Sequence, residues 1–261
     1  MNELFFQDDI EGLSYFLGML FSDGHINTKG KYIQIFSTDE DVIRKLHKRL
    51  NNHGSVHISK RGEYKTMYIL KSCTSFYNYI ISLGVQNNKD LHSIASIKIR
   101  LNIFDFCRGF LDGDGHYRIR KYTNQNVLHY INFLGRETII KEIYNQINVG
   151  KIAKRSLYSP KSKQLYRLNV YGKDANELGH LMYDNATIFM KRKHKCWQEC
   201  KDNSQYKRVK ESTNWGITYR TDAARIRPWR VDFTKNKIRY MNYFTTLEDA
   251  VAWRDLQNQC V

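Results

Sequence analysis

The hydrophobic and polar positions of this chain predict the same order of elements twice. Residues 1–100 and residues 101–197 each read as helix, strand, strand, helix, strand, strand, helix. The strands that can be placed are residues 31–36, 56–60 and 67–71 in the first half, where the remaining strand is assigned no residues, and residues 117–121, 128–134, 151–157 and 165–170 in the second half. Two predicted helices have apolar faces at Val42, Ile43, Leu46 and Leu50 and at Ile139, Ile140, Ile143 and Ile147, and two more span residues 75–83 and 174–183. The chain is therefore expected to be α/β, a tandem pseudo-twofold pair of αββαββα units.

A ten-residue segment is repeated within these units. Residues 16–25 read FLGMLFSDGH and residues 107–116 read CRGFLDGDGH, so Asp23 and Asp114 lie 114 − 23 = 91 residues apart. A single Asp-Gly pair is more simply a helix end with a solvated aspartate. Two copies at a domain-length interval favour a functional role.

Each copy also carries two small residues four positions apart. Residues with this spacing share one helix face, and small side chains there let a second backbone approach closely. The pairs are Gly18 with Ser22 and Gly109 with Gly113. We expect the two helices to pack in parallel, which would bring Asp23 and Asp114 to one point.

Charge points to the partner. The 42 lysines and arginines exceed the 26 acidic residues, which gives a net charge of +16. Such an excess favours a polyanion, with nucleic acid first and a membrane surface second. Two adjacent carboxylates repel unless they bind cations or share a proton, and hard divalent ions suit carboxylates beside phosphates. The implied chemistry is metal-assisted phosphodiester hydrolysis.

The two repeated segments resemble the paired signature motifs of LAGLIDADG homing endonucleases, in the single-chain form. The resemblance covers about residues 8–197, and the first motif departs from the family pattern at Phe21 and Ser22. It implies saddle-shaped antiparallel sheets and a monomer that cuts both strands of double-stranded DNA at a long asymmetric target. It also implies two or three Mg²⁺ ions, with Mn²⁺ as a substitute, on the carboxylates of Asp23 and Asp114 and the carbonyls of Ser22 and Gly113.

The family places a lysine near the catalytic centre in each half. Residues 84–89 and 190–193 resemble those segments, which makes Lys89 and Lys193 the candidate catalytic cations. A plain phosphate contact or a solvated charge is an equal alternative for each lysine.

Strand alternation separates a core face from a candidate DNA-binding face. The core face is expected to hold Ile33, Ile35, Val56, Ile58, Tyr117 and Ile119. The opposite face would carry side chains suited to bases and phosphates, namely Tyr32, Gln34, His57, Ser59, Arg61, His116, Arg118, Arg120, Arg167 and Asn169. A solvated strand face is the alternative, and the charge excess favours DNA.

The end of the chain differs in character. Residues 198–213 are interpreted as a basic linker, and residues 214–261 predict three strands (215–219, 229–233, 239–244) and a helix led by the capping box Thr245–Glu248. The segments WGITYR (215–220), WRVDF (229–233) and YFTTLEDAVA (243–252) resemble the APETALA2-type DNA-binding module. That resemblance implies DNA contacts from Arg220, Arg225, Arg227, Trp229, Arg230, Lys237 and Arg239, although Trp229 could equally pack in a small core.

Other functions remain open on the same scaffold. A group I intron RNA maturase or a non-catalytic DNA-binding regulator would not need both aspartates, so the retained pair favours the nuclease. Basic residues dispersed along strands argue against membrane binding. With no apolar run of roughly 18 residues, no export signal, and five scattered cysteines, we expect an intracellular protein. It would work in the cytoplasm of a bacterial or phage-infected cell or in an organelle, and would not be secreted.

Overall fold

The computed structural model describes most of the chain and divides it into two compact units. The described residues are 6, 9–51, 53–61, 65–88, 91–121, 127–155, 164–202, 217–219, 229–235 and 238–259. The first unit comprises residues 1–204 and the second residues 205–261.

The first unit contains the predicted αββαββα succession twice. Its first half consists of α1 (Ile10–Asp23), β1 (His25–Asn27), β2 (Tyr32–Ser37), α2 (Glu40–Arg49), β3 (Ser55–Arg61), β4 (Lys65–Lys71) and α3 (Thr74–Ser82). The second consists of α4 (Ile103–Asp114), β5 (His116–Lys121), β6 (Val127–Gly135), α5 (Glu137–Ile147), β7 (Lys151–Lys154), β8 (Tyr166–Tyr171) and α6 (Gly172–Tyr183), and α7 (Lys191–Asp202) follows. The predicted element order is confirmed.

The two halves have equivalent four-stranded antiparallel sheets. The strand order is β1-β2-β4-β3 in one and β5-β6-β8-β7 in the other. Each sheet begins with a strand that starts at the last residue of a repeated segment, His25 or His116. In both halves, the chain therefore passes from the motif helix directly into an edge strand of the sheet in the same half.

One hydrophobic core runs through both halves. The apolar faces predicted for α2 and α5 are buried, with Val42, Ile43 and Ile140 fully enclosed. Ile33 and Ile35 lie inside as predicted. The expectation for Ile58 is wrong, since its side chain is 56% exposed. Ile58 lies on β3, an edge strand, where no neighbouring strand covers one side.

The halves meet along α1 and α4, whose backbones touch at the glycines. A Cβ on Gly18 would meet the carbonyl O of Phe106, and a Cβ on Gly109 would meet the carbonyl O of Tyr15. These contacts are equivalent, because Tyr15 and Phe106 are also 106 − 15 = 91 residues apart. The pseudo-twofold relation between the two helices is thus visible in their contacts.

The next contact lies one turn further along both helices. A Cβ on Gly113 would come within 2.6 Å of Cβ of Ser22. Contacts advance in the same direction along α1 and α4, so the helices are parallel, as predicted. The small-residue spacing allows this close approach.

Two details of the local predictions need correction. The run Ser37–Glu40 has the sequence pattern of a capping box led by Ser37, but helix α2 takes Asp39 as its N-cap, and Ser37 Oγ instead accepts a hydrogen bond from Asp39 N at 3.0 Å. The expected linker from residue 198 is helical up to Asp202, because α7 continues past Trp197. Trp197 is buried and anchors α7 on Tyr183, with ring centroids 6.3 Å apart.

The second unit has the predicted three strands and a helix. They are β9 (Ile217–Tyr219), β10 (Trp229–Lys235), β11 (Ile238–Phe244) and α8 (Leu247–Gln259), with antiparallel order β11-β10-β9. Its small core is built from Val231, Phe233 and Ala250. At the start of α8, Thr246 Oγ1 accepts from Asp249 N at 3.2 Å, one residue later than the predicted capping box.

Among the described residues, no helix is both long and apolar enough to cross a lipid bilayer.

Replacing Gly109 by alanine should destabilise the first unit by at least about 2 kcal/mol, because the new methyl would strike the Tyr15 backbone, which cannot rotate aside. The measurement is urea unfolding of the full chain. Asn145→Ala, at an exposed position of α5, is the matched control and should change stability little. Equal stability of Gly109→Ala and wild type would contradict the backbone contact.

Candidate active site and nucleic-acid surface

The repeated aspartates stand at the adjoining ends of the central helices. Asp23 is the last residue of α1 and Asp114 the last of α4. Both side chains are exposed. A Cβ on Gly113 would lie 3.4 Å from Asp23 N, so the two helix ends are neighbours. The close packing therefore delivers one acidic residue from each half to the same end of the helix pair.

The glycines after the aspartates are not ordinary left-handed helix caps. Gly24 has φ −73° and Gly115 has φ −100°. Both are needed for space, since an added Cβ would lie 2.6 Å from Leu20 Cα at the first and 2.7 Å from Leu111 Cα at the second. The chain thus passes directly from each helix into a strand with no room for a side chain.

Ser22 and Gly113 lie in the last turn of their helices, where backbone carbonyls are directed towards the helix end. The Ser22 hydroxyl is turned inward to the carbonyls of Gly18 at 3.0 Å and Met19 at 3.1 Å. Carboxylate and carbonyl oxygens together are the ligands preferred by hard divalent ions, so this donor set fits magnesium. No cluster of three or more His, Cys, Asp or Glu side chains occurs in the described part of the chain, so any metal here would need further oxygen ligands.

Lys193 lies under the end of α4. Its side chain is 3% exposed, and Nζ donates to the carbonyl O of Leu111 and, at 2.9 Å, to that of Asp112. Burial lowers the pKa of Lys193 to about 8, while the charges of Asp112 and Asp23 oppose that shift. A cation is thereby held at the negative end of the α4 dipole, within electrostatic reach of Asp23.

Asp112 is a buried carboxylate that fixes the segment leading into α7. Its Oδ2 accepts from the Tyr15 hydroxyl at 2.7 Å and from Met190 N at 2.8 Å. Burial raises the pKa of Asp112. Asp112 lies within the second repeated segment, and the sequence pattern predicted no role for it. Its signal is an acidic residue on an otherwise apolar helix face, which calls for a buried partner.

A second polar network joins both halves, between the first turn of α1 and the middle of α4. Arg108 is almost fully buried and donates to Glu11 Oε1 at 2.8 Å, Asp105 Oδ1 at 2.7 Å and Ile188 O at 2.8 Å. Glu11 also accepts from Thr187 N at 2.7 Å. Burial would raise the pKa of Glu11, but the hydrogen bonds from Thr187 and the charge of Arg108 bring it below its usual value. The network ties residues 187–188 to α1 and α4.

The corresponding region of the first half is built differently. The position of Asp112 is taken by Phe21, whose ring stacks on His92 with centroids 4.3 Å apart. The imidazole of His92 is hydrogen-bonded to Gln86 O at 3.0 Å. Lys89, the expected counterpart of Lys193, lies outside the described residues.

Positive charge collects at the start of β5. Burial and the charges of Arg118, Lys193, Arg192 and Arg167 lower the pKa of His116, which directly follows the second motif. Four basic side chains therefore add positive charge at His116, two residues after Asp114.

Strand pairing gives each sheet a row of polar residues beside the helix ends. In the second sheet the paired residues are His116, Asn132, Asn169 and Lys151. In the first they are His25, Gln34, Lys71 and Ser55. The sequence did not predict Asn132, Lys151 and Lys71 as members of these rows. Asn132 follows the buried Ile131 and Lys71 follows the buried Leu70, so strand alternation could have placed both on the face away from the core.

The other predicted DNA-binding residues lie on these same polar sheet faces, as far as the structure describes them. Tyr32, Gln34, Ser59, Arg167 and Asn169 are half-buried, and His57, His116 and Arg118 are exposed. Lys71 Nζ lies 4.3 Å from the centroid of the Tyr32 ring. The side chains of Arg61 and Arg120 lie outside the described residues.

In the second unit, the sheet has one face on the core and one polar face. Trp229 packs against the core cluster of Val231, Phe233 and Ala250, so the core alternative for this tryptophan is the one observed. On the other face Asp232 receives Arg239 Nε at 2.9 Å and Nη2 at 2.7 Å, and also pairs with Arg230. These hydrogen bonds and charges lower the pKa of Asp232 to about 2. Arg220, Arg225, Arg227 and Lys237 lie outside the described residues.

Comparison with solved structures identifies the fold. The chain aligns with LAGLIDADG homing endonuclease I-GzeII in complex with its DNA target at a TM-score of 0.52 and 13% identity, over 76% of this chain and 93% of that one. The chain has the LAGLIDADG homing-endonuclease fold. I-LtrWI bound to target DNA aligns at 0.49 and 11% identity, over 77% and 93% of the two chains. I-SmaMI bound to uncleaved DNA with calcium ions aligns at 0.49 and 13%, over 73% and 90%.

No family model matches the sequence, and no curated protein matches it.

The Lys193 environment predicts a specific pH dependence of stability. Its pKa is about 8 in the folded chain against an ordinary 10.5, so between these values the unfolded chain binds more protons and stability rises with pH. Relative to Lys193→Met, the free energy of unfolding of the wild type should increase by about 2 kcal/mol from pH 7 to pH 10. Chemical denaturation at both pH values measures it, and a pH-independent difference would contradict the buried position.

Proposed function

We propose that this protein is a site-specific DNA endonuclease that cuts both strands of a long asymmetric target. The observation that carries the proposal is the pair of parallel helices in backbone contact, each ending on an exposed aspartate beside the other. A core helix that ends in an acid serves stability no better than one that ends in a neutral residue. Two such ends, one from each half, match two phosphodiesters on opposite strands.

In this proposal Asp23 and Asp114 hold divalent ions together with the carbonyls of Ser22 and Gly113. Magnesium, when bound, supplies an activated water and stabilises the leaving oxygen of an in-line displacement. Lys193 acts in this proposal through the positive charge that it holds at the end of α4, and Lys89 is assigned the same task in the first half. His116, whose pKa is lowered by burial and its basic neighbours, remains neutral and able to accept a proton at neutral pH.

Double-stranded DNA is the proposed partner, bound along the two polar sheet faces. The net charge of +16 supplies the sequence-independent attraction to phosphates. Arg118, Arg167 and Gln34 are suited to base edges or phosphates. Because one chain contains both halves of the site, the active species is proposed to be a monomer.

The second unit is proposed to add DNA affinity, as the resemblance to APETALA2-type modules implies. Its polar sheet face holds Arg230 and Arg239, both paired with Asp232. An acidic residue between two arginines restrains their positions and reduces the local positive charge.

Replacing Asp23 or Asp114 should greatly slow the cutting of at least one DNA strand, so that linear product is no longer formed at the wild-type rate. Duplexes recovered by binding selection are cloned into a supercoiled plasmid and incubated with the full chain and Mg²⁺. Wild type should yield linear DNA, and Asp23→Asn or Asp114→Asn should lower its formation by 10²-fold or more, on the order of a lost metal ligand. DNA binding should persist in both variants.

The matched control is Asp174→Asn, an exposed carboxylate in the first turn of α6. It should cut as wild type does. Undiminished cutting by either motif variant would refute the assignment, and a wild type that binds tightly without cutting in Mg²⁺ or Mn²⁺ would point to a DNA-binding regulator.

For the second unit, Asp232→Asn should release two arginines and strengthen binding of the full chain to duplex DNA. The dependence of the binding constant on salt should steepen, because more cations contact phosphates. Fluorescence anisotropy across a salt series measures both. Unchanged affinity and slope would place this sheet face away from DNA.

A further inference from the structure

The second sheet holds one amide in a fixed orientation by hydrogen bonds. Asn169 Oδ1 accepts from the Tyr130 hydroxyl at 2.8 Å and from Asn132 Nδ2 at 2.8 Å. A carbonyl oxygen has two lone pairs, so two donors occupy its hydrogen-bonding capacity. Asn169 then has only its NH₂ group to offer a ligand.

The two residues that donate to Asn169, Tyr130 and Asn132, are held in place by packing and strand pairing. Asn132 is 3% exposed and is the direct cross-strand partner of Asn169. Tyr130 stacks on Tyr171 with ring centroids 5.0 Å apart. Asn169, by contrast, is half-buried and lies in the polar row that begins at His116, two residues after Asp114. It is therefore placed to meet a base close to the cut.

We propose that Tyr130 and Asn132 are positioning residues that make Asn169 a donor-only reader of DNA. This rests on the proposed function. A free asparagine pairs with adenine by accepting from N6 and donating to N7. With Oδ1 occupied, Asn169 favours a base that presents acceptors in the major groove, guanine through O6 and N7 or thymine through O4, and disfavours the amino groups of adenine and cytosine.

The first sheet supports this interpretation. The residue equivalent to Asn169 in the polar row is Lys71, and the residue equivalent to Tyr130 is Tyr32, over whose ring Lys71 lies. A lysine ammonium can only donate. Both halves therefore present a hydrogen-bond donor at the same position of the polar row: the Lys71 ammonium in the first sheet and the restrained Asn169 amide in the second. Because the two side chains differ in shape, they suit an asymmetric target.

The test is binding selection of the full chain from a pool of random-sequence duplexes in Ca²⁺, followed by sequencing. Asn169→Ala identifies the base position that Asn169 reads, as the position where preference is lost. There the wild type should prefer guanine or thymine over adenine by about tenfold. Tyr130→Phe frees one lone pair of Oδ1 and should shift the preference towards adenine.

Asn132→Asp is a second variant that should reverse the orientation of the Asn169 amide, independently of Tyr130. A carboxylate at residue 132 accepts only, so the Asn169 amide must turn to donate to it, which exposes Oδ1 and favours the amino groups of adenine and cytosine. Tyr171→Phe, which removes a hydroxyl from the same face without touching Asn169, is the matched control and should keep the wild-type preference.

The outcomes separate the inference from the proposed function. If the wild type enriches a sequence but Tyr130→Phe, which folds with an unchanged melting temperature, keeps the same preference as wild type, the positioning role is overturned and the endonuclease stands. If Asn169→Ala changes no position, the readout is overturned as well. If the wild type enriches no sequence at all, both the inference and site-specific binding fail.

Discussion

The architecture depends on the contact between two helix backbones. Gly18 and Gly109 leave no side chain between α1 and α4, so the carbonyls of Tyr15 and Phe106 take the space that Cβ atoms would fill. Because interiors are close-packed and yield little, this contact fixes the separation and the parallel direction of the helices. The helix contact therefore also sets the positions of Asp23 and Asp114, which end the two helices, and of β1 and β5, which follow them.

Buried polar groups then hold the surrounding chain in register with that helix pair. Arg108 and Glu11 secure residues 187–188, Asp112 holds Met190 N, and Lys193 donates to carbonyls near the end of α4. Each group is costly to bury unless paired, so the arrangement tolerates little displacement. The first half uses Phe21 against His92 where the second uses Asp112. The two halves thus share a backbone plan and differ in how their site is supported.

Periodicity was sufficient to predict the element order, the helix pairing and most core positions, since these depend on local patterns repeated along the chain. It failed where neighbours decide the outcome. Ile58 alternates correctly but sits on an edge strand, and α7 lacks aliphatic residues yet is anchored by the buried Trp197. The candidate aspartate pair is marked by the sequence repeat, and alternation indicates the sheet face of Asn132 and Lys71. Which residues lie opposite Tyr130, Asn132 and Lys71 depends on strand register, which the sequence alone does not give. Their roles depend on pairing across strands far apart in sequence.

The central claim is that α1 and α4 bring Asp23 and Asp114 to shared divalent ions. Anomalous diffraction from Mn²⁺ in crystals of the full chain with selected duplex DNA tests it directly. Manganese peaks are expected at the adjoining helix ends, with both carboxylates among the ligands. Manganese bound to one aspartate alone, or two carboxylates turned into separate regions of solvent, would contradict it.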